Sequence, residues 1–97
     1  MVKRRFMDVL DGQIHYREAG SPDNPKLMLL HASPGSSKQL ELLAASLGDG
    51  FHVIAPDTLG NGDSMPPLQQ QPEIADYAAA MIAFADGLGW KNFHLYG

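Results

Sequence analysis

Four apolar residues in an unbroken run, Leu27-Met28-Leu29-Leu30, stand between Lys26 and His31, with Pro25 before them and Pro34-Gly35 soon after. The run does not alternate, so it is not a strand with one wet face, and the breakers come too early for a helix. A short continuous apolar strand belongs in a sheet covered on both faces, which is the situation of parallel strands. Phe51-His52-Val53-Ile54-Ala55, stopped by Pro56, repeats the pattern. Asn92-Phe93-His94-Leu95-Tyr96 repeats it again before Gly97, and with no following helix to cover it this strand is expected at an apolar sheet edge.

Helical spacing fills the two intervals between these strands. Leu40, Leu43, Ala44 and Leu47 fall at i, i+3, i+4 and i+7, with Leu42 broadening the stripe. Ser36 suits the N-cap, and Gln39 stands three residues on, as in a capping box. Ile74, Tyr77, Ala78, Met81, Ile82, Ala85 and Leu88 mark one face of the second helix. Pro72 suits its first turn, Glu73 and Asp76 oppose the N-terminal dipole, and Gly87 and Gly89 end it. Upstream, Arg5–Leu10 and Gln13–Ala19 read as a hairpin around Asp11-Gly12. The breaker-rich segment from Gly20 to Pro25 is a loop. The order predicts an α/β fold: a β-hairpin, then β-α-β-α-β of a mostly parallel sheet.

Composition narrows the function classes. Over 97 residues, 44% are hydrophobic and 19% charged, which is the chemistry of a folded chain. The net charge of −4 argues against nucleic acid or an anionic membrane as partner. No apolar run approaches the ~18 residues of a membrane span. The basic start, Lys3-Arg4-Arg5, leads to Asp8 and Asp11 and does not form a signal peptide, so a cytoplasmic location is expected. The absence of cysteine excludes disulfides, thiolate metal sites and a thiol nucleophile from these residues. No metal and no cofactor is expected. Asp57-x-x-x-Asn61-Gly62 is not a calcium loop, because Leu59 fills a ligand position and Leu68 stands where the bidentate glutamate belongs. Gly60-Asn61-Gly62 is too short for a dinucleotide fingerprint, which disfavours a nucleotide-binding α/β domain.

Ligands of open α/β sheets bind beyond the carboxyl ends of the strands. Two loops leave such ends, His31-Ala32-Ser33-Pro34-Gly35-Ser36-Ser37 and Pro56-Asp57-Thr58-Leu59-Gly60-Asn61-Gly62-Asp63-Ser64. Taken singly, each also reads as a tight strand-to-helix turn, with Asp57 as turn former and His31 pinning its loop. Taken together and in this order, they resemble the α/β-hydrolase family. Its HG-x-P or HG-x-x-G loop matches His31 to Gly35, with Ala32 in place of the usual glycine. Its PD-x-x-G-x-G-x-S segment matches Pro56 to Ser64. Its strand leading to a glycine matches Phe93 to Gly97.

The resemblance implies a hydrolase acting on a small organic substrate through an ester, C–C, epoxide or similar bond. His31, Ala32, Ser33, Pro34 and Gly35 would form the oxyanion-hole loop, with the N–H of Ser33 as one donor. Asp57, Gly60, Gly62 and Ser64 would form a structural turn beneath the active-site mouth. Gly97 matches the first glycine of the G-x-S-x-G elbow, so the nucleophile is expected two residues after it, with acid and base further on. Residues 1–97 would then be the N-terminal part of a single, incomplete domain, without a catalytic residue and inactive alone. His15, His31, His52 and His94 are not the base. Ser33, lacking an amide side chain, disfavours a dehalogenase. The alternative is a non-catalytic α/β-hydrolase-like binding protein.

Overall fold

A computed structural model describes residues 2–9, 12–32, 35–66 and 74–97. The elements are β1 (Lys3–Val9), β2 (Gly12–Ala19), β3 (Lys26–Leu29), a 3-10 turn (Ser37–Leu40), α1 (Glu41–Leu47), β4 (His52–Pro56), α2 (Ile74–Leu88) and β5 (His94–Tyr96). They build a five-stranded sheet in the order β1-β2-β4-β3-β5. β1 and β2 pair antiparallel from Lys3↔Glu18 to Val9↔Gly12. The predicted turn residue Asp11, with Leu10, lies outside the described residues, as do Pro72 and Glu73. β2 is antiparallel to β4, whereas β3 is parallel to both β4 and β5.

The non-alternating runs are explained by cover on both faces. In β3 and β4, Leu27, Leu29, Val53 and Ala55 join the core beneath α1, around the fully buried Ala44. Met28 and Ile54, pointing the other way, join Val9, Ile14, Tyr16, Trp90 and the α2 residues Phe84 and Ala85. Phe84 is completely buried, worth about 2–3 kcal/mol of apolar transfer, and meets the Tyr16 ring edge-on at 5.2 Å.

Each predicted helix turns part of its stripe to the core, Leu40, Ala44 and Leu47 in the first and Met81, Ala85 and Leu88 in the second, and leaves the rest outside. On α2 the buried residues are Ala80, Phe84 and Ala85, while Ile74 is 88% exposed and Ile82 is 63% exposed. The outer part of the predicted stripe instead lines an open apolar groove with Trp90, Phe93 and Leu95. The helix is apolar on more than one face, so spacing could not say which face meets the sheet. Leu42 of α1, expected to widen a buried stripe, is 87% exposed. β5, apolar like the two inner strands but expected at a sheet edge without a covering helix, is exposed along its length, because it pairs with β3 alone and no described element lies over it.

The helix ends follow local rules. Ser36 Oγ accepts from the Lys38 N–H at 3.2 Å and caps the 3-10 turn. α2 stops at Gly89, whose φ of +76° suits a residue without Cβ. Trp90 N donates to Ala85 O and Gly89 N to Asp86 O, the paired bonds of a Schellman ending. No described helix is long and apolar enough to cross a membrane.

Candidate functional site

The connection from β3 to β4 carries α1 on one face, and that from β4 to β5 carries α2 on the other. The chain therefore leaves β3 and β4 toward opposite faces, and the crevice at their carboxyl ends is where such sheets take ligands. Both loops singled out by the sequence begin here.

Asp57 follows directly on β4 and is 1% exposed. Its Oδ1 accepts from the Ser37 N–H at 2.6 Å. Its Oδ2 accepts from the Asp63 N–H at 3.0 Å and lies 2.7 Å from His15 Nδ1. The Asp57 carbonyl accepts from Ser64 Oγ at 2.7 Å, and Ser64 Oγ in turn accepts from the His15 N–H at 3.0 Å. Burial alone would push the Asp57 carboxyl up. The donors from Asp63, from the Ser37 hydroxyl and N–H, and from His15 together outweigh it and hold the group at about 2. One carboxylate thus ties β2, the β3–α1 loop and its own loop together.

The partners of this carboxylate are themselves fixed. Arg4 Nε donates to His15 Nε2 at 2.9 Å, so the ring proton sits on Nδ1 and faces Asp57. Arg17 Nη1 donates to Ser37 Oγ at 2.6 Å, and its Nε donates to Glu41 Oε2 at 3.0 Å. His15, Asp57 and Asp63 are close enough to suggest a metal site. Arg4 supplies the positive charge there, bonding both His15 and the Asp63 carboxylate, while both Asp57 oxygens already hold donors. The cluster is a hydrogen-bonded knot with its own cation.

Gly62 lies against this knot. Its φ is +52°, and a Cβ there would stand 2.2 Å from Asp57 Oδ2. Gly60, also at positive φ, donates its N–H to the Met65 carbonyl at 2.8 Å and closes the loop. Asp57, Gly60, Gly62 and Ser64 are thereby brought into one turn.

His31 is buried at the end of β3. Its Nδ1 donates to the Ala32 carbonyl at 2.9 Å, and its Nε2 accepts from the Thr58 N–H at 3.1 Å. This ring is a second tie between the two loops, beside the Ser37 N–H to Asp57 bond. Gly35 closes the first loop against Ala32, where an added Cβ would lie 2.7 Å from the Ala32 carbonyl oxygen. Ser33 and Pro34 lie outside the described residues. The remaining histidines are elsewhere. His52 Nε2 bonds Glu18 at 2.6 Å with its ring against Trp90, and His94 is exposed on β5.

Sequence spacing did not mark His15, Arg17 or Arg4 as part of this assembly. His15 is 42 positions from Asp57. The available signal was alternation in β2, which puts His15 and Arg17 on the face opposite Ile14 and Tyr16.

Comparison with known proteins agrees with this architecture. Residues 25–97 match the alpha/beta hydrolase fold family. An uncharacterized hydrolase of Saccharomyces cerevisiae is 34% identical over 91 residues, covering 93% of this chain and 31% of that protein. Haloalkane dehalogenase 2 of Mycobacterium tuberculosis is 34% identical over 89 residues, covering 92% of this chain and 30% of the enzyme. The crystal structure of a membrane phospholipase A, a bacterial virulence factor, superposes with a TM-score of 0.90 at 31% identity, over 97% of this chain and 30% of that one. The chain spans under a third of the length of these relatives. From strand order to sequence match, the chain belongs to the α/β-hydrolase fold family.

Proposed function

We propose that this chain is the N-terminal part of a single α/β-hydrolase domain, and that the full-length protein hydrolyses a small organic substrate. In this reading the loop His31-Ala32-Ser33-Pro34-Gly35 contributes one donor, the N–H of Ser33, to an oxyanion hole. The nucleophile stands two residues after Gly97, and the residue following it supplies the second donor. Fixed N–H groups of this kind stabilise the negative oxygen that develops in acyl transfer, where removing one costs about 10²–10³ in kcat. Asp57, Gly60, Gly62 and Ser64 hold the neighbouring turn, and no residue within 1–97 attacks the substrate.

The observation that carries this reading is the meeting of two strand ends. Leu30 N donates to Tyr96 O at 2.8 Å, so the carboxyl end of β5 lies beside the start of the His31 loop. Whatever follows Gly97 emerges next to that loop, at the spacing of paired strands, ~4.8 Å. Relatives named as a dehalogenase and a phospholipase keep both carbon–halogen and ester substrates in view.

The full-length protein is expected to turn over at least one of an activated ester, a simple epoxide and a haloalkane, measured by product release. No turnover across that panel would favour the non-catalytic binding reading. Residues 1–97 expressed alone are expected to be insoluble or loosely packed. The exposed β5 edge with Leu95 and Tyr96, and the uncovered Ile74 and Ile82 of α2, invite association. A cooperative melt of a monomeric 97-residue chain would overturn that expectation.

A further inference from the structure

We draw no further inference here: the strongest candidate, the open apolar groove between α2 and β5 lined by Tyr77, Met81, Ile82, Trp90, Phe93 and Leu95, carries none because nothing in the structure shows what covers it.

Discussion

Asp57→Ala is expected to destabilise the full-length protein by about 3–5 kcal/mol, read from the shift in its denaturant midpoint at neutral pH. The substitution removes the acceptor of the Ser37 N–H, the Asp63 N–H and the His15 ring N–H at once, in a site closed to water. Each donor left buried without a partner costs about 1–3 kcal/mol, and the effects fall on three separate parts of the chain. Asp57→Asn is milder but still destabilising, because its NH₂ must face one of these donors. The acid side of the stability curve carries the same information. The folded carboxyl titrates at about 2 against an ordinary 3.8, so its contribution is fully present above about pH 4 and is lost as pH falls toward 2. The shift corresponds to about 2 kcal/mol. Asp57→Asn flattens this limb; a variant whose stability falls between pH 4 and 2 as steeply as the native protein's would show that Asp57 is not its source.

Gly62→Ala is expected to cost about 3 kcal/mol or more, comparable with the loss of Asp57 itself. The new Cβ would sit 2.2 Å from Asp57 Oδ2, on a backbone with φ of +52°. The loop must either tilt the carboxylate away from its donors or abandon the turn. A double-mutant cycle separates these contributions: in an Asp57→Ala background the contact is gone, so Gly62→Ala costs only its backbone strain, about 1–2 kcal/mol. Additive penalties would show that the glycine is required for its dihedral angle alone.

The two variants divide the candidate site into what could be read locally and what could not. The spacing of Asp57, Gly60, Gly62 and Ser64 was legible, because a tight turn imposes its residue types within a few positions of one another. Its partner His15 was not legible, since β2 brings it beneath Asp57 only when the sheet register places Asp57 N on His15 O at 2.8 Å. The same contrast separates the two loops' glycines and prolines, visible in the sequence, from the His31 ring that joins Ala32 to Thr58 across 27 positions.

By itself, the sequence determined the α/β order, the doubly covered character of β3 and β4 and the position of the loops at their carboxyl ends. These are properties of short windows, in which apolar runs, breakers and caps act on their own neighbours. Only the tertiary structure decided that α2 buries Phe84 and leaves Ile74 out, and that Asp57 is held by His15 and Ser37. A helix apolar on several faces takes its inward face from what the sheet offers, and a buried carboxylate takes its partners from strands that meet only after the chain has closed on itself.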